Sequence, residues 1–344
     1  MTDTFYRTFS EKQRGELYEA LFASEKPASR TKWIVVAAAE ELLFFDPADL
    51  TAPARRFRID GSAGQARSVR KATLDGTDVL LVGASTGVYI WPIDASTPSE
   101  TLLVAGAPRV RGGFNAAALV GDHVVATHSE LGVGQWLVGS AKQSNYGALF
   151  ASMTQGAKAV RDVEAFDDRL YCSIDDRIIA WLAASESTQP ANIFTGSRSS
   201  ITALCPTDAG LYAGNSDGDV LLWSAGNDTE PETIHRGARR AAESVWIVES
   251  HGVRRLLFTD TSPQVHAKVL GDSFVCHYEA GGQTLRRVEV ADDLVVATND
   301  LRDRLILWSP TRPSRPSAVL PIGAMTGRSV QDVALISSPP GAPT

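Results

Sequence analysis

The sequence predicts an all-β fold made of seven similar four-stranded units, and three observations lead to this prediction. An aromatic residue, usually tryptophan, recurs at a nearly constant interval and ends a short β-rich run each time. Within each interval lie four runs rich in β-branched and aromatic residues, separated by turn residues. No amphipathic segment of about 10–15 residues, the length of a crossover helix, lies between these runs, which disfavours a parallel α/β sheet.

The repeat is clearest at its aromatic position. Five of the seven tryptophans occupy this slot, and Phe45 and His266 take it in the two other units. The five are Trp91, Trp136, Trp181, Trp223 and Trp308. Consecutive slots are 46, 45, 45, 42, 43 and 42 residues apart. A period of about 40–45 residues with four strands is typical of one blade of a β-propeller, in which small sheets surround a central channel.

The strands of each blade are labelled a to d from the channel outward. One unit reads SITALCPTDAG, LYAGNSD, GDVLLWSAG and PETIHRGA for strands a to d. Within it, GNSDGDVLLWSAG resembles a WD repeat, with Asp217, Gly218 and Trp223 at the matching positions. The resemblance covers roughly residues 31–338 and implies a seven-bladed propeller. It is divergent, because none of the five tryptophans is followed by Asp and no unit has the family's Gly-His pair.

The last β segment of the chain is predicted to complete the first blade. KWIVVAAAE, ELLFFDP and RRFRIDG supply strands b, c and d of that blade, but no strand a precedes them. SVQDVALIS, residues 329–337, aligns with the a strands SVRKATLD and AVRDVEAFD and has no following partner. Because a lone strand cannot satisfy its own backbone, we predict that it becomes the innermost strand of blade 1. This arrangement closes the ring and removes open sheet edges.

Residues 1–30 supply no blade strand and are predicted to form a short N-terminal helical arm. A helix over SEKQRGELYEALFASE would start near Ser10, with Gln13 completing a capping box. Its apolar stripe consists of Leu17, Tyr18, Leu21 and Phe22. Either this helix packs on the propeller's own rim or base, or it docks into a partner. The propeller is predicted over residues 31–338, followed by a disordered tail at 339–344.

The composition argues against several classes of protein. A formal net charge of −7 disfavours nonspecific nucleic-acid binding through the whole surface but allows a local basic patch. The longest apolar stretches, WIVVAAA and LLFF, fall far short of the ~18 residues that span a bilayer, and residues 1–30 lack a signal-peptide core. The three widely spaced cysteines indicate reduced core thiols. We therefore expect a cytoplasmic protein that binds no membrane.

The sequence contains none of the common catalytic or metal-binding motifs. GxSxG, HExxH and Walker-type loops are all missing, so we expect a protein that is not an enzyme and holds no cofactor or metal. The alternative is a propeller enzyme or anion-binding protein, hydrolase- or lactonase-like, that acts at the axial channel. Its candidate residues would be Asp162, Asp332 and His128, with arginines to hold an anion.

A basic residue precedes or begins strand a of every blade, on loops that open on one face around the channel. An acidic protein with a basic ring at one mouth would attract an acidic peptide or a phosphate-bearing ligand there. Further cations, including Arg67 and Arg286, lie beside the predicted binding residues. These residues are Arg70, Arg111, Arg161, Arg198, Arg240, Arg287 and Arg328, with Trp246 as a candidate aromatic anchor.

An alternative interpretation assigns these arginines to stability. The b–c hairpins open on the same face and carry acids that would pair with the arginines and hold adjacent blades together. The acids include Glu40, Asp217, Asp260 and Asp303.

The leading functional hypothesis is a non-catalytic scaffold or adaptor that holds protein partners within a multiprotein assembly. The resemblance implies the same role, because WD-repeat proteins mostly act as scaffolds. Similar prokaryotic propellers accompany ATPases, proteases or von Willebrand-type domains, so a bacterial signalling or defence system is a further hypothesis. A third is nucleic-acid binding at the arginine-rich mouth, which predicts an affinity that falls steeply with salt.

Overall fold

The computed structural model of the protein describes residues 30–59, 63–103, 112–128, 132–139, 160–182, 190–237, 240–250, 253–271, 275–291 and 293–338. These residues form seven antiparallel sheets in a ring, which confirms the predicted all-β propeller with seven blades. Six sheets have four strands, and blade 3 has three among the described residues. No helix within the described ranges has the length and apolar character needed to cross a membrane. The predicted N-terminal arm and the tail at 339–344 lie outside the described residues.

The strands follow the predicted order from the channel outward, and each pairs with the next in its blade. Blade 1 contains Asp332–Ser338 (β27), Arg30–Ala38 (β1), Glu41–Phe45 (β2) and Arg55–Arg58 (β3). Blade 2 contains Ala66–Leu74 (β4), Thr77–Ala84 (β5), Gly87–Pro92 (β6) and Glu100–Leu103 (β7). Blade 3 contains Phe114–Val120 (β8), His123–His128 (β9) and Gly132–Leu137 (β10). Blade 4 contains Val160–Phe166 (β11), Arg169–Ile174 (β12), Arg177–Leu182 (β13) and Asn192–Phe194 (β14).

The remaining three blades repeat the same pattern. Blade 5 contains Ile201–Thr207 (β15), Gly210–Asn215 (β16), Val220–Ser224 (β17) and Glu232–His235 (β18). Blade 6 contains Ser244–Ser250 (β19), Val253–Thr259 (β20), Gln264–Val269 (β21) and Val275–Glu279 (β22). Blade 7 contains Leu285–Val290 (β23), Val295–Asn299 (β24), Leu305–Trp308 (β25) and Ala318–Leu320 (β26). A one-turn helix, Ile322–Thr326 (α1), connects blade 7 to β27.

The recurrent aromatic slot lies on strand c of every blade and is buried between blades. In three blades the tryptophan at this slot donates a hydrogen bond from its indole N–H to a backbone carbonyl of the preceding blade. Trp136 bonds Leu103 O at 3.2 Å, Trp223 bonds Thr195 O at 2.8 Å and Trp308 bonds Glu279 O at 3.2 Å. Each of these rings buries a large apolar area and also donates a hydrogen bond to a backbone carbonyl of the neighbouring blade. Because this contact requires the same position in each blade, the aromatic residue recurs at a regular interval.

The C-terminal strand closes the ring as predicted. β27 pairs antiparallel with β1, with Ile34 opposite Leu335 and Val36 opposite Val333. The side chains of Val333, Ala334 and Ile336 are buried in the clusters that join blade 1 to its two neighbours. The first and last strands of the described chain therefore share one sheet.

Hydrogen bonds to carboxylates connect blade 1 to both of its neighbours at this junction. Asp293 of blade 7 accepts hydrogen bonds from the Thr31 hydroxyl at 2.6 Å and from the Thr31 N–H at 2.9 Å. On the other side, Asp332 in β27 accepts the N–H of Val69 in blade 2 at 3.1 Å. Blade 1 is thus bonded to blades 7 and 2 through carboxylates as well as through its core.

Candidate functional site

The loops before the a strands and the b–c hairpins meet on one face, here called the entry face. Arg328 of the loop before β27 pairs with Glu40 of the blade 1 hairpin at 3.1 Å. Arg240, ahead of β19, donates to the carbonyl of Thr261 in the blade 6 hairpin at 2.9 Å. These contacts place the two sets of loops side by side, as the sequence predicted.

A cavity of about 250 Å³ opens at the channel mouth on the entry face. The charged side chains among its described lining residues are five arginines and one acid. They are Arg67, Arg161, Arg286, Arg287, Arg302 and Glu243. The cavity is therefore strongly basic within a chain whose overall formal charge is −7. This set of residues is called the arginine mouth below.

Two of the mouth arginines have acidic partners. Arg287 Nη1 lies 3.0 Å from Asp332 Oδ1, and the carboxylate raises the pKa of Arg287. Arg286 Nε lies 2.7 Å from Glu243 Oε2.

Three mouth arginines have no acidic partner among the described residues. Arg302 donates to the neutral amide oxygen of Gln331 at 3.1 Å. Burial and the positive charge of Arg286 lower its pKa, against the opposing attraction of the more distant Glu243. Arg161 is exposed, and the buried Nε of Arg67 has no hydrogen-bond acceptor within the described parts of the chain. The mouth therefore carries an excess of positive charge that the described protein atoms leave unneutralised.

Arg67 owes its position to a glycine in the next blade. A Cβ on Gly113 would lie 2.5 Å from Arg67 Cγ and 3.1 Å from the carbonyl oxygen of Ala84. Only a residue without a side chain leaves room for the Arg67 stem against this backbone. Gly113, directly before β8, thus leaves the space that the Arg67 side chain occupies at the mouth.

Deeper in the channel, Arg70 lies among three acids that come from two other blades. Its Nη1 is 2.6 Å from Glu289 Oε1, and its Nη2 is 3.8 Å from Glu164 and 3.9 Å from Asp162. Burial disfavours the charge on Arg70, but the surrounding carboxylates outweigh it and raise its pKa. Arg70 is therefore a half-buried cation that ties three blades together, and it does not line the mouth.

The carboxyl groups of this network outnumber its guanidinium groups. The acids are Asp162, Glu164, Glu289 and Asp332, and the two arginines are Arg70 and Arg287. Burial raises the pKa of Glu164 and of Glu289 to about 8, against the opposing attraction of Arg70. The acids of this network therefore take up protons more readily than exposed carboxyl groups do.

The other predicted binding residues are dispersed. Arg198 and Arg240 are exposed on the entry face, where Arg240 bonds a carbonyl and Arg328 pairs with Glu40. Arg111 and the arm residues Leu17, Tyr18, Leu21 and Phe22 lie outside the described residues.

Trp246 is placed away from the arginine mouth. Its half-buried ring lines a second channel cavity of about 450 Å³, together with Arg70, Glu164 and Glu289. Its indole N–H donates to the carbonyl of Val288 at 2.7 Å, which ties blade 6 to blade 7.

The two interpretations of the arginines both describe part of the structure. Glu40 is the hairpin acid that pairs with a loop arginine as predicted. The partners of Arg70, Arg286 and Arg287 are instead acids on or beside the a strands. The sequence-based prediction did not include Arg302 and Glu243. It considered basic residues only in the loops before the a strands and acidic residues only in the b–c hairpins. Arg302 lies in a b–c hairpin and Glu243 in a loop before an a strand, so a search for basic and acidic residues in both kinds of loop would have included them.

The candidates for an enzyme site have structural roles in the described chain. Asp162 Oδ2 accepts the N–H of Leu204 in blade 5 at 2.9 Å, in the same way that Asp332 accepts Val69. His128 is fully buried with its ring 5.0 Å from that of Phe114. Within the described residues, no group of three or more His, Cys, Asp or Glu side chains is arranged to hold a metal ion.

The sequence matches no protein-family profile and no curated protein sequence. The fold is similar to the crystal structure of the computationally designed Ika8 protein, with a TM-score of 0.57. The match covers 86% of this chain and 87% of that chain, at 14% sequence identity. A likeness at this level of identity concerns the fold alone.

The buried acids predict how stability depends on pH. The side chain of Glu289 is 9% exposed, and its pKa is raised from 4.5 to about 8 in the folded protein. Between these values the folded state holds a proton that the unfolded state has lost, so the free energy of unfolding falls as pH rises from 5 to 8.5. At about 1.4 kcal/mol per pKa unit, we expect a decrease of at least about 2 kcal/mol.

Urea denaturation at pH 5.5 and pH 8.5 measures this decrease. Glu289→Gln should reduce this decrease, because glutamine does not titrate and only Glu164 keeps a pKa raised to about 8. The exposed control Glu230→Gln should leave the decrease unchanged. An equally steep decrease in Glu289→Gln would show that this carboxyl is not the titrating group.

Proposed function

We propose that this propeller is a non-catalytic interaction platform that binds an acidic segment of a protein partner on its entry face. The observation that carries the proposal is the arginine mouth, where five arginines surround one cavity with a single acid among the described lining residues. Such a local excess of positive charge attracts and orients an acidic partner. Arginine is also enriched among the residues that dominate binding energy at protein interfaces.

An exposed apolar residue beside the mouth supports a protein as the partner. Leu301, at the tip of the blade 7 hairpin, is 79% exposed and directly precedes Arg302. An apolar contact next to arginines suits a peptide segment that has both acidic and apolar side chains. The phosphate groups of a nucleic acid, which would bind the arginines, carry no apolar side chain to match Leu301.

The channel acids favour binding over catalysis. Asp162 and Asp332 each hold a backbone N–H of the neighbouring blade, and Asp332 also holds Arg287. A reaction that used these carboxylates would have to break contacts between blades. The proposal therefore assigns them to the rigidity of the ring and assigns partner binding to the mouth.

Site-specific photo-crosslinking of the full chain in its native host tests this proposal. We expect a photoreactive residue at Leu301 to form a defined adduct with a protein, and Arg161→Glu to reduce that adduct by about tenfold. The matched control is Val319, which is 46% exposed on strand d of blade 7. Equal adducts at both positions, none at either, or an adduct with nucleic acid would each contradict the proposal.

A further inference from the structure

We propose that the arginine mouth binds one phosphate monoester, carried by a phosphorylated side chain of the partner; this rests on the proposed function. Three cations are available for it, because Arg67, Arg161 and Arg302 have no acidic partner among the described residues. A side-chain carboxylate brings one negative charge, whereas a phosphate monoester brings about 1.5 to 2. The dianion matches the unneutralised charge more closely.

The donors suit the geometry of a phosphoryl group. Guanidinium groups bind phosphate oxygens through pairs of parallel N–H donors, and such charge-assisted bonds are shorter and stronger than neutral ones. The Nε of Arg67 is buried and lacks an acceptor within the described residues, so the described protein atoms leave this guanidinium short of hydrogen-bond acceptors. Asn115, also in the lining, offers an uncharged amide donor.

The size of the cavity indicates a group that is presented from outside. Its volume of about 250 Å³ lies below the roughly 300–1,000 Å³ of pockets that enclose whole small molecules. A phosphoryl group and the first atoms of its side chain fit in such a space. The rest of the ligand would lie on the entry face, where Leu301 is exposed.

Glu243 occupies part of the site as an internal anion. Its carboxylate holds Arg286 at 2.7 Å, and both side chains are partly exposed at the mouth. An incoming phosphate must compete with Glu243 for Arg286. Removing this carboxylate should therefore strengthen phosphate binding, an effect that a misfolded variant cannot imitate.

Isothermal titration of the full chain with short acidic peptides tests the inference. The probes are one peptide with a central phosphoserine, the same peptide with serine, and a short oligodeoxythymidine. We expect the phosphopeptide to bind at one site, at least about tenfold tighter than the serine peptide, with inorganic phosphate as a competitor.

Charge-matched variants locate the site. Arg67→Gln and Arg161→Gln should each weaken the phosphopeptide by about tenfold, and Glu243→Gln should strengthen it severalfold. The control is Arg315→Gln, an equal loss of charge at an exposed position in the c–d loop of blade 7, which should change the affinity less than about twofold.

Three results would overturn the inference. They are equal affinity for the two peptides, equal affinity for oligodeoxythymidine, and weaker binding by Glu243→Gln. Equal affinity for the two peptides, together with the Leu301 adduct, would leave the proposed function intact. Absence of the Leu301 adduct would contradict both the proposed function and the phosphate inference.

Discussion

Removal of residues 329–344 is expected to abolish the cooperative unfolding of the protein. The deletion removes β27, which pairs with β1 along most of its length, and the buried side chains of Val330, Val333 and Ile336. Burying each such side chain contributes about 1.5–3 kcal/mol. Together with the lost strand pairing, the loss is comparable with the entire stability of a typical domain, about 5–15 kcal/mol.

The open ring would also expose the inner edge of β1, which invites association between molecules. Calorimetry and near-ultraviolet circular dichroism should therefore show a broad transition or none, and size-exclusion chromatography should show aggregates. Adding a synthetic peptide of residues 327–338 in excess should restore part of the transition by completing blade 1.

Deletion of residues 339–344 alone is the matched control, because it leaves β27 whole. We expect this variant to melt like the full chain. If the longer deletion unfolds as sharply and at the same temperature as the full chain, β27 does not hold the ring together.

The second large effect is expected from Asp332→Ala. The side chain of Asp332 is fully buried, accepts the N–H of Val69 and pairs with Arg287 at 3.0 Å. Alanine would leave a half-buried guanidinium and a buried N–H without their acceptor. Removing one partner of a fully buried ion pair typically costs about 3–5 kcal/mol. Because the side chain of Arg287 is 22% exposed and water can reach it, we expect the free energy of unfolding to fall by about 3 kcal/mol, the lower end of this range.

A double-mutant cycle with Arg287→Leu separates the pair from the backbone contact. The double variant should be more stable than the sum of the two single losses predicts, by about 1–3 kcal/mol, because the orphaned charge is gone. Asp300→Ala, at an exposed position of the blade 7 hairpin, should change stability by less than about 0.5 kcal/mol. Strict additivity of the two substitutions would show that Asp332 and Arg287 act independently.

The fold could be predicted from the sequence in most of its parts. The aromatic slot predicted strand c of all seven blades, including the slots of Phe45 and His266. The alignment of SVQDVALIS with AVRDVEAFD also placed Asp332 and Asp162 in one register. In the structure these two carboxylates make the same contact, each with a backbone N–H of the next blade.

The candidate site could be predicted only in outline. The excess of arginine before the a strands indicated a basic mouth, and Arg161 and Arg287 do line it. The same pattern grouped Arg70 with them, although Arg70 lies deeper and is held by Glu289, Glu164 and Asp162. Strand alternation gives the face on which a side chain lies, but it does not give its partner across a channel.

The sequence by itself determined the repeat, the order of strands in each blade and the closure of the ring. These features depend on local patterns of apolar and turn residues, which each unit carries within about 45 residues. Only the tertiary structure decided which charges are paired, because Arg70 and Glu289 are 219 residues apart and meet only when seven blades close around one axis. Pairing across that axis depends on the geometry of the whole ring, which also leaves Arg67, Arg161 and Arg302 at the mouth without acidic partners among the described residues.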